Sequence, residues 1–196
     1  NKIAIAASVL YKGGVIAYPT ETVYGIGCNV YHNEAVERIE SLKGRDKSKA
    51  LIIIAADLLQ ISELVESIPD TAQKLIDTFW PGPLTLVFKA SDNLKQFVIK
   101  KTNTIAIRIP DSPICLSLLK SCEFPIVSTS ANKSGMKPAT TAQEVKAIFG
   151  DNLDLIIDGG KTQSNIPSTV VDVTKTPIRI IRPGAITELE INTALY

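Results

Sequence analysis

Short β-branched runs alternate with segments of helical periodicity along this chain, and that alternation predicts an α/β fold on a mixed sheet. Three observations carry the prediction. Val15–Tyr18 and Leu51–Ala55 have the length and apolar content of buried strands. Segments with apolar residues three and four apart lie between such runs, as a helix with one buried face requires. Late in the chain, Leu155–Ile157, Thr169–Val173 and Ile178–Ile181 follow one another with no long helical stretch between them, so parallel crossovers alone cannot connect them. No internal repeat, low-complexity tract or linker interrupts the 196 residues, and one domain over 1–196 is expected.

The elements follow in order. Ile3, Ala6, Ala7 and Leu10 recur at helical spacing, and Gly13-Gly14 ends that helix. After the Val15–Tyr18 strand, Pro19 closes regular pairing because it lacks an N–H donor. Pro19–Gly27 then reads as a polar loop, in which Gly25 and Gly27 permit close backbone approach or a turn. Asn33 is placed to cap a helix striped by Val36, Ile39 and Leu42 and stopped by Gly44. Helices over Leu58–Val65 and Thr71–Phe79 flank Pro69. Trp80-Pro81-Gly82-Pro83 breaks all regular structure ahead of strands at Leu84–Phe88 and Thr104–Ile109. Pro113 opens a helix to about Ser121, and Ile126-Val127 is a short strand leading into a Ser-rich loop. Thr141 and Glu144 have capping-box spacing ahead of a helix ended by Phe149-Gly150.

Composition narrows the function classes. A net charge of +1 gives no overall steering toward nucleic acid or membrane, so any basic surface is local. Three cysteines without CxxC spacing argue against a disulfide framework or a zinc site and suit a reducing, cytoplasmic setting. No apolar run approaches the ~20 residues of a membrane span. The start, Asn1-Lys2-Ile3, has no signal-peptide pattern and no Met. A single histidine, His32, would have to serve any Ser-His or Cys-His mechanism; a structural histidine is the competing reading. Neither phosphate-loop fingerprint is present.

Four stretches concentrate polar chemistry beside strand ends, where α/β sheets build their sites. Thr20-Glu21-Thr22 follows the first strand. Lys43, Arg45, Lys47 and Lys49 place four cations in seven residues, which is either a solvated loop, a polyphosphate site or an RNA-backbone contact. Ser128-Thr129-Ser130-Ala131-Asn132 is either an ordinary turn or a nest of donors for an anion. Alternation in Thr104-Ile105-Ala106-Ile107-Arg108 puts Thr104, Ala106 and Arg108 on one strand face. Ser168 and Arg182 repeat the theme near the end. Hydroxyls and cations abound, and no nucleophile–base pair is evident. The inventory suits an anionic ligand, with catalysis by positioning and charge neutralisation.

Together, PTETVYGIG (19–27), KGR with a downstream lysine (43–49), WPGPLTLVF (80–88), TIAIRIPDSP (104–113), PIVSTSANKSG (125–135), PSTVVDVT (167–174) and IRPG (181–184) resemble the YrdC/TsaC family of threonylcarbamoyl-AMP synthases, in order and over nearly the whole chain. The resemblance implies an open, twisted mixed sheet with flanking helices and a large concave pocket, in the short single-domain form. It implies synthesis of threonylcarbamoyl-AMP and pyrophosphate from ATP, L-threonine and bicarbonate, with Mg²⁺ carried on the nucleotide. The product would pass to threonylcarbamoyl-transfer proteins that modify adenosine 37 of tRNA, and direct tRNA contact is a further expectation. A non-catalytic module that binds tRNA or double-stranded RNA is the alternative.

Carried over by motif, Lys43 and Arg45 are the implied catalytic cations. With Lys47, and with Lys49 nearby, they face the ATP phosphates. Thr104, Ser130, Asn132 and Arg182 hold the adenylate. Thr20, Arg108, Ser128 and Ser168 hold threonine, Arg108 through its carboxylate, and Thr22 and Tyr24 shape the pocket wall. Three departures from the family pattern stand out. Ile54 occupies the place of a His, the segment 136–139 is shifted so that Ser134, Thr140 or neither meets the nucleotide, and Ser128 replaces Thr. Glu21 has no assigned role.

Overall fold

The computed structural model describes residues 2–44, 51–94 and 103–196. Helix α1 (Lys2–Tyr11) ends where Gly13 turns back at φ 80°, and its last carbonyls accept from Gly13 and Gly14. Strands β1 (Ile16–Pro19) and β2 (Tyr24–Asn29) form an antiparallel hairpin, with Pro19 opposite Tyr24. Thus only Thr20–Val23 is loop, and the expected loop over Pro19–Gly27 is half strand. The glycines mark close packing rather than a turn. A Cβ on Gly27 would lie 2.5 Å from the Val127 carbonyl oxygen and 2.6 Å from the Tyr18 hydroxyl. Polar residues at the hairpin tip and glycines in the strand conceal the period-two pattern.

Helix α2 (Asn33–Lys43) begins at Asn33, so His32 rather than Asn33 holds the cap position, and its side chain makes no capping bond. Gly44 ends the helix in the left-handed region at φ 58°, as its position predicts. Strand β3 (Ile52–Ile54) leads to α3 (Leu58–Ser62). That helix is shorter than expected because Val65 bridges Ala90 and the chain turns into an extended path. Then come α4 (Asp70–Phe79), β4 (Leu84–Lys89), β5 (Thr104–Arg108) and α5 (Pro113–Cys122), the last capped by Ser112, whose hydroxyl accepts from Cys115 N–H. Strand β6 (Ile126–Ser130) runs three residues past the expected Ile126-Val127, so Ser128 and Ser130 are strand residues.

In α6 (Ala142–Phe149), Thr141 caps through Glu144 N–H, but Glu144 Oε2 accepts from Thr140, so the reciprocal box is not closed there. Strands β7 (Leu155–Ile156), β8 (Thr169–Asp172) and β9 (Arg179–Arg182) complete the sheet. A helix absent from the sequence reading, α7 (Glu188–Leu195), follows with a closed capping box between Thr187 and Glu190. That Thr-x-x-Glu spacing is its legible signal.

The strands form one mixed sheet in the order β7-β1-β2-β6-β3-β5-β4-β8-β9, parallel at β7/β1, β3/β5 and β4/β8 and antiparallel elsewhere. Side-chain alternation separates its faces. Tyr24, Ile26, Ile53, Leu86, Ile107, Val127 and Val171 point to one face, in a continuous core with residues of α2, α3, α4, α6 and α7. Ile16, Tyr18, Ile54 and Ile126 point to the other, beneath α1 and α5. Those two helices cover only part of that second face. Beyond them lies a separate apolar strip of Ile52, Ala106, Val87 and Val170, one residue from each of the neighbours β3, β5, β4 and β8.

Gly27→Ala should lower stability by about 1–3 kcal/mol, the usual range for overpacking a core. Gly25→Ala should cost less, because its Cβ would meet the Ser128 hydroxyl and Tyr18 ring at 3.2 Å. Urea midpoints at unchanged slope test the ordering; equal midpoints for both variants would contradict the packing assigned to Gly27.

Candidate functional site

The uncovered strip is the floor of a cavity of about 640 Å³. The β1–β2 hairpin tip forms one wall, with Thr20, Thr22, Val23 and Gly25. Ser128 and Ser130 of β6 and the following loop, with Asn132, Ser134 and Pro138, form another. Lys43 enters from the end of α2, Thr104 and Arg108 from β5, and Ser168 and Arg182 from the β8 and β9 side. Every expected site residue within the described segments therefore lines one cavity. Arg45 and Lys47, and Lys49 with them, lie outside the described residues. The β5 alternation explains the convergence of Thr104, Ala106 and Arg108: one strand face supplies all three.

Several of these side chains are already engaged by the protein. The Thr20 hydroxyl donates to the Val23 carbonyl at 2.7 Å and accepts from the Thr22 and Val23 amides, which locks the hairpin tip. The Asn132 amide donates to the Lys133 and Met136 carbonyls and accepts from the Ser130 hydroxyl at 2.6 Å. The buried Lys43 ammonium donates to the carbonyls of Ser130 (2.6 Å) and Asn132 (3.1 Å) and to Asn132 Oδ1 (3.2 Å). Lys43 thus ties α2 to the β6 loop while its charge sits on the cavity wall. Arg182 donates to the Ser168 carbonyl and hydroxyl, and the Ser168 hydroxyl is 2.8 Å from that of Thr85.

Arg108 has a partner that sequence reading left without a role. Its Nη1 donates to Glu21 Oε1 at 2.9 Å, and both side chains are about nine-tenths buried. Glu21 belongs to the hairpin tip and is not among the cavity-lining residues, so it stands behind the arginine. No spacing rule links residues so far apart in the chain; the sheet brings them together.

Other expectations now have positions. Tyr24 lies on the cavity wall, and its hydroxyl donates to the Gly160 carbonyl at 2.8 Å and accepts from Gly159 N–H, which ties down the segment after β7. Ser134 lines the cavity, whereas Thr140 serves the start of α6. Ile54 lines the cavity directly across from Arg108 in the β3–β5 pairing. His32 Nε2 sits 3.1 Å from the Tyr11 carbonyl oxygen, outside the cavity, which is the structural reading. Burial pushes the Cys28, Cys115 and Cys122 thiols up to about 12, and none lines the cavity, so thiolate chemistry has no place there. Among the described residues no group of His, Cys, Asp and Glu is placed to hold a metal ion, and no helix is long and apolar enough to cross a membrane.

Comparison with known proteins gives consistent matches. The Sua5/YciO/YrdC family model, described as telomere recombination, matches residues 8–184. A threonylcarbamoyl-AMP synthase of Pyrococcus abyssi is 41% identical over all of this chain, which spans 60% of that protein. A threonylcarbamoyl-AMP synthase of Marinobacter nauticus is 38% identical, with 88% of this chain and 91% of the relative aligned. The crystal structure of P. abyssi Sua5 complexed with L-threonine superposes at a TM-score of 0.95 with 42% identity, over 99% of this chain and 57% of that one.

If Lys43 chiefly holds carbonyls, Lys43→Met should lower stability by roughly 1.5–3 kcal/mol, the scale of hydrogen bonds to a charged donor. Chemical denaturation measures it. A change under about 0.5 kcal/mol, as for an ordinary surface substitution, would refute the tethering role.

Proposed function

Because the chain belongs to the Sua5/YciO/YrdC family, we propose that it makes threonylcarbamoyl-AMP and pyrophosphate from ATP, L-threonine and bicarbonate. The observation that carries the reading is one cavity in which separate motifs meet: a guanidinium with hydroxyls near it, an apolar floor, and further cationic groups around the wall. A carboxylate-bearing substrate and a nucleotide need those two environments side by side.

The reaction needs no protein nucleophile. The threonine amine attacks the carbon of bicarbonate or of CO₂ derived from it. A C–N bond forms, water and a proton are shed, and a carbamate results. A carbamate oxygen then attacks the α-phosphorus of ATP, and the bond to the pyrophosphate leaving group breaks. The protein's contribution is to hold the reactants in line and to offset phosphate charge. Arg108 takes the threonine carboxylate, with Ser128, Thr20 and Ser168 around the amino acid. The hydroxyl of Thr20 is pinned in its own turn, so its share is to fix the wall and present an oxygen rather than donate a proton. Thr104, Ser130, Asn132 and Arg182 surround the adenylate part. Lys43, Arg45 and Lys47 face the phosphates. Because the described residues offer no carboxylate cluster, Mg²⁺ enters as a companion of the triphosphate and no step is assigned to the protein through it. The product is released in the cytoplasm to proteins that transfer the threonylcarbamoyl group to adenosine 37 of tRNA.

Purified protein given ATP, bicarbonate and threonine should release pyrophosphate in a threonine-dependent manner. Release equal to the no-threonine control would remove the synthase reading. Arg108→Ala should weaken threonine binding about 10- to 100-fold, the value of losing a charge-assisted contact, with ATP affinity within about twofold. Equal weakening of both ligands, read by calorimetry, would show that Arg108 serves the nucleotide as well.

A further inference from the structure

The hairpin tip contains a charged residue that the reaction above does not use. Glu21 meets Arg108 through one oxygen, Oε1 to Nη1 at 2.9 Å, whereas a paired carboxylate and guanidinium commonly share two parallel bonds. The second oxygen, Oε2, is buried and has no hydrogen-bond partner among the described residues. Buried acceptors left open are uncommon, and each calls for an explanation. Here the one-oxygen contact has a consequence for the cavity. Arg108 lines it and Glu21 does not, so the arginine is neutralised from behind while part of its donor edge remains available in front.

Nearby titratable groups leave that balance undisturbed. Tyr18 is held well above its ordinary range, chiefly by burial, and Cys115 is pushed up to about 12 by burial, so both are uncharged at neutral pH. Ile54, across from Arg108 in the β3–β5 pairing, carries no charge. Among the described residues, Arg108 and Glu21 therefore form a pair of zero net charge at this end of the cavity. An isolated guanidinium would attract any anion, and the same cavity must admit a triphosphate.

We propose that Glu21 is a specificity-determining residue: its charge reserves Arg108 for a zwitterionic amino acid and keeps phosphate groups off it. This rests on the reading of Arg108 as the threonine carboxylate partner. An α-amino acid brings a carboxylate for the open edge of Arg108 and an ammonium that the Glu21 field favours. Phosphate brings only negative charge, and Glu21 disfavours it at the Arg108 guanidinium.

The test is titration with inorganic phosphate, followed calorimetrically, on the wild type, Glu21→Gln, Glu21→Asp and the double variant Glu21→Gln/Arg108→Ala. Glutamine keeps an oxygen for Nη1 and removes the charge. Glu21→Gln should take up one phosphate more than the wild type, the double variant should lose that extra site, and threonine should compete for it. Glu21→Asp, which keeps the charge, should match the wild-type stoichiometry; a merely structural role would make it resemble Glu21→Gln. Equal phosphate stoichiometry in wild type and Glu21→Gln overturns the proposal. Wild-type protein that binds no threonine, with the extra phosphate site still appearing in Glu21→Gln, overturns the amino-acid assignment instead. A measurement on the wild type alone gives a second check should Glu21→Gln fold poorly. Threonine affinity should change less than about twofold between low and high salt, since a neutral pair and a zwitterion are weakly screened; a fall of fivefold or more would mean that Arg108 acts as an uncompensated cation.

Discussion

Helices α1 and α5 cover one end of a sheet face and stop short of the strip Ile52, Ala106, Val87 and Val170 on β3, β5, β4 and β8, and the cavity is the part of the sheet they leave open. A sheet covered on both faces has strands that read as near-continuous apolar runs. Here the opposite face is sealed by five helices, so the sheet gains its main burial on that side. The second face can then carry Thr104, Arg108, Ser128 and Ser168 at positions where a fully covered sheet would need apolar side chains. Because Thr104, Arg108 and Ser128 stand on β5 and β6, strands that each lie between two paired neighbours, their spacing is set by the ladder rather than by loops, and Ser168 immediately precedes β8.

The close approach of β1 and β6 to β2 has the same effect at finer scale. Gly25 and Gly27 remove the side chains that would otherwise lie between Tyr18 and Ser128, so the Tyr18 ring fills that space and Ser128 reaches the cavity. The hairpin tip is then anchored by its own hydrogen bonds at Thr20 and by the Glu21–Arg108 pair, which joins it to β5. On the far wall, Lys43 and Asn132 fasten the loop after β6 to the end of α2. Much of the polar inventory therefore builds the cavity, and the groups it frees for a ligand are fewer than their number in the sequence suggests.

Legibility of the chain varied with how local each signal was. Gly44 at the end of α2, Ser112 and Pro113 at the start of α5, and the apolar runs of β1, β3, β4 and β5 act within a few residues, and each was readable in advance. Strand β2 was not, because its alternate positions hold glycines where a neighbouring strand packs close. The extension of β6 through Ser130 was hidden for a related reason: hydroxyls facing a cavity look like a turn. Helix α7 carried a readable capping box, but its short apolar stripe beyond the last strand gave no periodic signal. The resemblance to a known family located the cavity residues by motif, and those within the described segments do meet in one place.

By itself, the sequence determined the fold class and the residues that bear charge and hydroxyls beside strand ends. Those properties depend on residue type and near neighbours. Only the tertiary structure decided which of these groups are spent on the protein and which face a ligand. Lys43 lies within a cluster of carbonyls, Thr20 closes its own turn, and Glu21 stands behind Arg108, 87 positions away in the chain. Hydrogen bonds and ion pairs between distant segments depend on strand order and register, and no local pattern encodes which strand will lie beside which.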